Sequence, residues 1–327
     1  MKAVFIKEFG GVAGLEIREV PNPPKPVGGQ ALVRVRAAGL NRADLLQRKG
    51  LYPAPPGFSS QIPGLEFAGE IADLGEGDAE LKIGDRVMGI TAGEAQAEYI
   101  LTNALTLIRI PNELTFTEAS AIPEAFITAH DAVFTQCGIQ SGETILIHAA
   151  GSGVGLAAAQ LANAAGATVI GTSRTSAKLD RCREFGLEHA IASPDGKFAN
   201  AVMEITNGAG VDVILDLVGA SYFAENLSSL SRSGRLILVG LTGGRKAEFD
   251  LGVALYKRLK IIGTVLRGRS TGEKAEATRA FAEFALPLFE NGTLRPNVDR
   301  VFKLAEIAAA HDYRESNESF GKVVLEL

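Results

Sequence analysis

The sequence predicts an α/β protein in which a mostly β region is combined with a doubly wound parallel sheet. Residues 1–110 contain segments that alternate apolar and polar side chains at period two, which is typical of half-buried strands. From about residue 118, continuous apolar strands alternate with helices, which indicates a parallel sheet covered on both faces. A length of 327 residues suits about two domains of ordinary size.

The individual elements follow from these two patterns. In the β region the strands are predicted at 4–6, 15–20, 31–36 and 70–74, a proline-rich loop spans 21–29, and a turn at 81–89 leads into a further strand. The alternating region is predicted as helix 118–134 interrupted near its start by Pro123, strand 144–147, helix 156–165, strand 168–172, helix 176–185 ended by Gly186, strand 211–216, helix 222–231, strand 235–240 and strand 260–264. A helix near 273–290, a strand near 300–302, a short helix 304–311 and a strand 322–325 complete the chain.

The composition is that of an ordinary globular protein, with 46% hydrophobic and 22% charged residues. A formal net charge of -5 provides no whole-protein field for nucleic acid or for an anionic membrane, so we expect neither partner. No stretch reaches the ~18 apolar residues of a membrane span, and the charged N-terminal residues do not resemble a signal peptide. We therefore expect a cytoplasmic protein.

Cysteine and histidine usage argues against a metal site. Cys137 and Cys182 are the only cysteines, which excludes a disulfide framework and a four-cysteine zinc lobe; a single bridge stays open, although reduced thiols are the simpler interpretation. The histidines, which show no metal-ligand spacing, are His130, His148, His189 and His311. We expect no bound metal and interpret His148, at the end of a buried strand, as a packed or turn-bonded imidazole.

A glycine-rich turn, residues 148–155, lies between a predicted buried strand and a predicted helix. Glycines allow a sharp turn and a close approach to a pyrophosphate, while the helix N-terminus offers N–H groups and a positive dipole end. The spacing is G-x-G-x-G rather than G-x-G-x-x-G, and a tight turn that packs helix on sheet is the alternative. The strand before it and the helix after it favour nucleotide binding.

The segment after the second strand indicates which nucleotide is bound. Sites for NAD usually place an acid about 20 residues after the turn, where it binds the ribose 2′-hydroxyl. Residues 171–178 contain no acid but provide hydroxyl groups, Arg174 and Lys178, which suit a 2′-phosphate. A solvated helix start with incidental charges is the alternative. The segment favours NADP(H).

Several motifs resemble a known family. They lie at residues 39–48, 50–53, 55–57, 64–70, 121–129, 152–155 and 321–327. Together they resemble the zinc-free quinone oxidoreductase branch of the medium-chain dehydrogenase/reductase superfamily. The resemblance implies a GroES-like, mostly β catalytic domain over 1–122 and 266–327, and a Rossmann NADP(H)-binding domain over 123–265. It also implies a homodimer formed through the nucleotide-binding domains, and the apolar strand 235–240, near a candidate sheet edge, is compatible with that.

The resemblance also implies roles for individual residues. Asn41 is placed at the nicotinamide end, bonded to substrate or ribose, and Tyr52 in the substrate cleft, where it can bond an acceptor oxygen. The residues implied to bind the cofactor are Thr128 against the nicotinamide, Ser152, Gly153 and Val154 at the pyrophosphate, Ser173, Arg174 and Lys178 at the 2′-phosphate, and Gly240, Leu241, Thr242, Leu266 and Arg267, which hold the nicotinamide through backbone groups. The alternatives are a helix cap for Asn41, loop packing for Tyr52 and a helix-face residue for Thr128.

Two differences from relatives bear on the chemistry. Zinc alcohol dehydrogenases of this superfamily carry a cysteine ligand in the segment matching 40–42 and a histidine where this chain has Leu65. Without a Lewis acid, alcohol oxidation is disfavoured, whereas a quinone or an α,β-unsaturated carbonyl is already polarised for hydride addition. Ser193 stands where relatives often have a tyrosine near the 2′-phosphate. The sequence thus predicts an NADPH-dependent quinone or enone reductase; an enoyl-thioester reductase and a non-catalytic NADPH-binding structural or sensor protein are the alternatives.

Overall fold

The computed structural model describes residues 1–77 and 80–327, and the chain divides into two compact units. The first comprises Met1–Ile127 together with Leu266–Leu327, and the second comprises Thr128–Val265. The first boundary lies after Ile127, where the sequence prediction puts it after residue 122. The predicted class, a mostly β region with a doubly wound parallel sheet, is confirmed.

The strands, in chain order, are β1 Lys2–Ile6, β2 Leu15–Glu19, β3 Gln30–Leu40, β4 Glu66–Leu74, β5 Arg86–Ile90, β6 Tyr99–Asn103, β7 Leu107–Arg109, β8 Thr144–Ile147, β9 Thr168–Ser173, β10 His189–Ala192, β11 Val211–Asp216, β12 Leu230–Leu238, β13 Lys260–Gly263, β14 Val298–Lys303 and β15 Lys322–Glu326. The α-helices are α1 Arg42–Arg48, α2 Phe116–Ala119, α3 Thr128–His130, α4 Gly153–Ala164, α5 Ser176–Cys182, α6 Ala199–Ile205, α7 Phe223–Ser229, α8 Leu251–Lys257, α9 Thr271–Glu290 and α10 Ile307–Glu315.

The first unit is built on a seven-stranded sheet with the order β14-β15-β3-β4-β5-β7, in which β6 also pairs with β3. The long strand β3 lies at its centre, because it pairs with β15, β4 and β6. Alternate residues of β3, such as Val33 and Val35, are buried against Phe67 and Ile71 of β4. The C-terminal strand therefore returns to the centre of the N-terminal region, which brings residues near 322 beside residues near 40.

The second unit is a six-stranded parallel sheet with the order β10-β9-β8-β11-β12-β13. Numbered from its own first strand, this is 3-2-1-4-5-6, the order of dinucleotide-binding sheets. Apolar residues from its central strands are packed together, and Leu146, Ile170, Ile214 and Leu236 are buried in one core cluster. The point where the order reverses lies at β8, so the turn that follows β8 is where a ligand is expected in such a sheet.

The strand predicted at 235–240 lies next to the edge strand of this sheet. The apolar strand predicted at 235–240 overlaps the end of the longer β12, which pairs with β11 on one side and with β13 on the other. Its apolar sequence reflects burial inside the sheet. The edge strand on this side is β13, whose residues are mostly exposed.

The helix predicted at 118–134 is broken into unlike pieces. The helix α2 is followed by a π-helical segment Pro123–Ile127, then by α3 and a second π-helical segment Asp131–Gln136. Pro123 has no N–H to continue an α-helical ladder. The change of unit after Ile127 falls inside this stretch.

No helix among residues 1–77 and 80–327 is long and apolar enough to cross a membrane. The cytoplasmic location stays a prediction.

Candidate active site

Asn41 lies at the start of α1, as the helix-cap alternative predicted. The Asp44 carboxylate accepts the Asn41 backbone N–H at 2.7 Å, which anchors the first turn of the helix. The side-chain amide of Asn41 also reaches residues far away in sequence. Its Nδ2 donates to Glu66 Oε1 at 2.8 Å, and its Oδ1 accepts from Lys322 Nζ at 2.6 Å.

Glu66 and Lys322 form a buried ion pair in the first unit. The Lys322 ammonium donates to Glu66 Oε1; Glu66 is 0% exposed and Lys322 is 5% exposed. The other carboxylate oxygen of Glu66 accepts the backbone N–H of Glu124 at 2.9 Å. The pair thus joins β4, β15, the start of α1 and the π-helical segment after α2. We call Asn41, Asp44, Glu66, Glu124 and Lys322 the polar cluster.

Two carboxyl groups of the polar cluster hold their protons unusually tightly. Burial and, to a smaller extent, the neighbouring Glu66 charge together raise the pKa of Glu124 to about 8, against the opposing effect of Lys322. Glu124 keeps some accessible surface although protein atoms surround it densely. Burial also raises the pKa of Asp44 to about 6, even though the N–H groups of Asn41 and Gly64 favour its ionised form. Low dielectric and like charge together make the proton affinity of Glu124 high.

Tyr52 is half-buried and is held by Arg267. The Arg267 guanidinium lies 4.9 Å from the centroid of the Tyr52 ring and donates to the Tyr52 carbonyl at 3.1 Å. It also donates to the Ala92 carbonyl at 2.8 Å and to Gln47 Oε1. Burial raises the pKa of the Tyr52 phenol, and Arg267 partly offsets the rise. The Tyr52 hydroxyl has no partner among the residues that the structure describes, so it is a donor open to a ligand.

The residues around the polar cluster do not suit zinc. Asn41 stands in the segment where zinc relatives carry a cysteine, and the buried, apolar Leu65 stands where they carry a histidine. The Asn41 carbonyl oxygen and the Glu66 carboxylate already bind the Lys322 ammonium. Within 1–77 and 80–327, no group of three or more His, Cys, Asp or Glu side chains is arranged to hold a metal ion. The side chains at this position therefore do not fit a zinc ion.

The glycine-rich turn of the second unit leads directly into the helix α4. Ser152 is the N-cap of the twelve-residue helix α4, and its hydroxyl accepts the N–H of Gly155 at 3.1 Å. Ser152, Gly153 and Val154 are partly exposed, and N–H groups in the first turn of an α-helix have no partner within the helix. A Cβ at Gly155 would lie 2.6 Å from the Ala149 carbonyl oxygen, so only glycine fits there. These residues fit the pyrophosphate of a dinucleotide.

A buried polar chain lies beneath this turn. His148 Nδ1 contacts Thr172 Oγ1 at 2.8 Å, and His148 Nε2 contacts Asn226 Oδ1 at 2.6 Å. Asn226 Nδ2 donates to Asp216 at 3.0 Å, and Asp216 accepts the N–H groups of Val218 and Gly219. Burial lowers the pKa of His148 to about 4, so its imidazole is neutral at physiological pH. The interpretation of His148 as a packed, bonded imidazole is confirmed.

The residues predicted to bind the 2′-phosphate lie at the carboxyl end of β9 and after it. Ser173 is partly exposed, Arg174 is exposed and Lys178 lies in the first turn of α5. The Arg174 charge is close enough to Tyr222 to offset part of the rise that burial causes in the Tyr222 pKa. Ser193 is buried beside Tyr222, so an aromatic ring from a different segment lies near the position where relatives carry a tyrosine.

The remaining predicted residues divide between the two units. Gly240, Leu241 and Thr242 follow the carboxyl end of β12, and the Thr242 hydroxyl donates to the Leu217 carbonyl at 3.1 Å. Thr128 is the first residue of the second unit. Leu266 and Arg267 are buried and belong to the first unit, where the Arg267 side chain supports Tyr52.

The structure therefore brings the residues into two groups. Within the second unit, the segments containing Ser152, Ser173 and Thr242 all follow carboxyl ends of parallel strands at the same edge of one sheet. Within the first unit, Asn41 joins Glu66, Glu124 and Lys322, which the sequence reasoning missed. Glu66 and Lys322 lie within two of the motifs that carry the family resemblance, and those motifs are the sequence signal that could have identified them.

We predict that Glu124→Gln changes how stability depends on pH. The folded-state pKa of about 8 exceeds the ordinary value of 4.5, so the folded protein holds an extra proton between these values and loses stability as pH rises through them. Urea unfolding should show that the free energy of unfolding falls by at least ~1 kcal/mol more in the wild type than in the variant between about pH 5 and pH 8. The exposed Glu113→Gln is the control and should follow the wild type. Equal losses of unfolding free energy in the wild type and both variants would contradict the raised pKa of Glu124.

Comparison with known proteins adds the family. Residues 28–130 match the alcohol dehydrogenase GroES-like domain, and residues 153–283 match the zinc-binding dehydrogenase family. Quinone oxidoreductase-like protein 2 of Mus musculus is 33% identical, with 96% of this chain and 89% of the relative covered. Quinone oxidoreductase of Lama guanicoe is also 33% identical, with 99% and 97% covered.

Three solved structures are similar over nearly the whole chain. The JamJ enoyl reductase has a TM-score of 0.88 at 31% identity and covers 99% of this chain and 98% of its own. An NAD-dependent alcohol dehydrogenase has a TM-score of 0.88 at 30% identity, with 100% of both chains covered. A mycobacterial protein complexed with NADPH has a TM-score of 0.87 at 28% identity, again with 100% of both covered. Together with the fold and the two residue groups, these relationships show that the chain is an oxidoreductase of the medium-chain dehydrogenase/reductase superfamily, with quinone oxidoreductases among its relatives.

Proposed function

We propose that this protein is an NADPH-dependent reductase that transfers hydride to a quinone or an α,β-unsaturated carbonyl without a metal. The observation that carries the proposal is the polar cluster, in which Asn41 and Glu66 bind the Lys322 ammonium and Leu65 offers no ligand atom. Such a site favours an acceptor that is already polarised by the acceptor's own carbonyl groups. The quinone oxidoreductase relatives support the same acceptor class.

The cofactor supplies a hydride from its nicotinamide ring when it is bound. The chain's own residues bind and orient the cofactor and the acceptor. The N–H groups of Gly153 and Val154, which follow the helix cap Ser152, suit the pyrophosphate. The Tyr52 hydroxyl can donate a hydrogen bond to an acceptor oxygen. Catalysis then depends on positioning and exclusion of water more than on a strong acid or base, and the final proton comes from water or a hydroxyl group.

The preference for NADPH rests on residues rather than on the family, because similar structures include an NAD-dependent enzyme and a protein complexed with NADPH. No acid lies in the segment 171–178, where Ser173, Arg174 and Lys178 offer a hydroxyl group and two positive charges. Charge-assisted bonds from Arg174 and Lys178 suit a 2′-phosphate.

An enoyl-thioester reductase is the second candidate, because the JamJ enoyl reductase is similar in fold and in sequence. Its hydride chemistry is the same, and its acceptor is an α,β-unsaturated thioester in place of a quinone or free enone.

A homodimer is also part of the proposal. The edge strand β13 is mostly exposed, with Ile261 41% accessible, and the neighbouring helix α8 has no buried residue. Leu255 and Tyr256 of α8 are 78% and 75% exposed. An open edge beside exposed apolar side chains is a surface that proteins usually cover.

The acceptor class is tested by following NADPH oxidation with ortho- and para-quinones, enones and enoyl thioesters. We expect turnover of quinones or enones. Tyr52→Phe should lower kcat/KM about fivefold, because one neutral hydrogen bond to the acceptor is lost. Tyr99→Phe, a tyrosine in β6 outside the candidate site, is the control. Preferred turnover of thioesters would support the second candidate, and absence of turnover with every acceptor despite NADPH binding would contradict a reductase.

Cofactor preference is tested by Ser173→Asp and Arg174→Ala. Both variants should weaken NADPH binding roughly tenfold or more and leave NADH binding little changed, since each removes favourable charge or adds repulsion at the 2′-phosphate. Calorimetric Kd values for the two nucleotides measure this. The exposed Arg245→Ala serves as a charge-matched control. Unchanged NADPH affinity in both variants would show that the 2′-phosphate site lies elsewhere.

Dimer formation is tested by Ile261→Lys, which places a charge on the exposed edge strand. Light scattering after size exclusion should give a dimer mass for the wild type and a monomer mass for the variant, because a buried unpaired lysine opposes association. Val27→Lys, at an exposed apolar position of the first unit, should leave the mass unchanged. A monomeric wild type at micromolar concentration would refute the dimer.

A further inference from the structure

The side chain of Asn41 is held at both ends of its amide. Oδ1 accepts from Lys322 Nζ at 2.6 Å, and Nδ2 donates to Glu66 Oε1 at 2.8 Å. Because an ammonium can only donate and a carboxylate oxygen only accepts, the two contacts fix which amide atom faces which partner. Asn41 cannot rotate by half a turn without placing its NH2 group against the ammonium.

Burial makes this arrangement difficult to disturb. Glu66 is 0% exposed, and the Lys322 side chain retains only 6% of its surface. A Cβ at Gly39 would lie 2.2 Å from Glu66 Oε1, so the glycine leaves the space that the carboxylate occupies. Displacing either ion would leave its partner buried without a counter-ion, which is strongly unfavourable. The ion pair is therefore a rigid support for Asn41.

One hydrogen-bonding group of Asn41 remains loosely used. The second contact of Nδ2 is with the Gly39 carbonyl at 3.5 Å, which is at the outer limit for a hydrogen bond. Asn41 itself is partly exposed. The Lys322 ammonium that donates to Oδ1 polarises the Asn41 amide and strengthens its N–H as a donor. The available group is an activated N–H, and it suits an oxygen that accepts.

We propose that Lys322 is a positioning residue that, with Glu66, locks Asn41 as a hydrogen-bond donor to the carbonyl oxygen of the acceptor. The inference rests on the proposed reductase function and deepens it, because it gives the substrate class as compounds that present a carbonyl oxygen. Lys322 acts through Asn41 and makes no contact with substrate. The positive charge that polarises the Asn41 amide is the Lys322 ammonium.

The test compares Lys322→Met, Asn41→Ala and the double variant. Lys322→Met should lower kcat/KM for the acceptor roughly tenfold, the value for one polarised hydrogen bond, with the Kd for NADPH within about twofold of the wild type. The double variant should be no slower than Asn41→Ala, because Lys322 acts only through Asn41. Lys322→Arg, which keeps the charge, should recover at least about a third of wild-type activity.

Three results would overturn the proposal. The first is wild-type kcat/KM in Lys322→Met. The second is that adding Lys322→Met to Asn41→Ala lowers kcat/KM by the same factor as Lys322→Met does alone. The third is an effect confined to the Kd for NADPH. Lys303→Met removes an exposed lysine that pairs with Glu326 and is the matched control, expected to keep full activity.

A neutral pair keeps the test possible if Lys322→Met alone does not fold. Lys322→Met combined with Glu66→Gln removes both buried charges at once, so neither is left unpaired. Its kcat/KM should also be reduced roughly tenfold, because the ammonium on Asn41 Oδ1 is gone. Full activity in this double variant would overturn the proposal.

A measurement without turnover separates this inference from the proposed function. In ¹⁵N NMR spectra, the Asn41 side-chain amide, identified by its loss in Asn41→Asp, should give two distinct proton signals with slow water exchange at one of them. Lys322→Met should speed that exchange at least about tenfold, because the anchor on Oδ1 is lost. Unchanged exchange would refute the positioning role, even for a protein that reduces none of the acceptors tried.

Discussion

The buried pair of Glu66 and Lys322 is the interaction on which the first unit depends. It joins residues 256 positions apart in the chain, and through Asn41 and the Glu124 N–H it also holds the start of α1 and the π-helical segment after α2. Removing one ion would leave the other buried and uncompensated, at a cost of about 3–5 kcal/mol. Gly39 is part of the same constraint, because any side chain there would displace the carboxylate. The fold and the candidate site thus share one support.

The second unit has a comparable support of a different kind. The chain of contacts from Thr172 through His148 and Asn226 to Asp216 is buried beneath the turn that suits a pyrophosphate. The His148 imidazole is neutral at physiological pH, because burial lowers its pKa to about 4. Burial raises the pKa of Asp216 to about 6, and Asp216 accepts the N–H groups of Val218 and Gly219. Hydrogen bonds satisfy these groups in a low-dielectric core, where an unmatched polar atom would be costly. The turn is therefore held from below by a chain of hydrogen bonds.

Much of the fold was accessible from periodicity. Strands β8 and β11 were predicted at the residues where they occur, because a continuous apolar run bounded by turns leaves few alternatives. Short elements were missed, including β7 and α8, since each has too few residues to establish a period and is stabilised by tertiary contacts. The interruption of the helix expected at 118–134 was predicted from Pro123, whereas the π-helical geometry of Pro123–Ile127 and Asp131–Gln136 was not.

The sequence by itself determined the alternation of strands and helices, the glycine-rich turn, the segment without an acid after β9 and the family, because these are properties of neighbouring residues. Only the tertiary structure decided the edge strand, the support of Tyr52 by Arg267, and the meeting of Asn41, Glu66, Glu124 and Lys322. The physical reason is that β15 returns to pair with β3, which places a lysine near the C-terminal end beside a carboxylate and an amide from the N-terminal region. The pKa of Glu124 depends on that same meeting, since burial and the Glu66 charge exist only once the chain has folded.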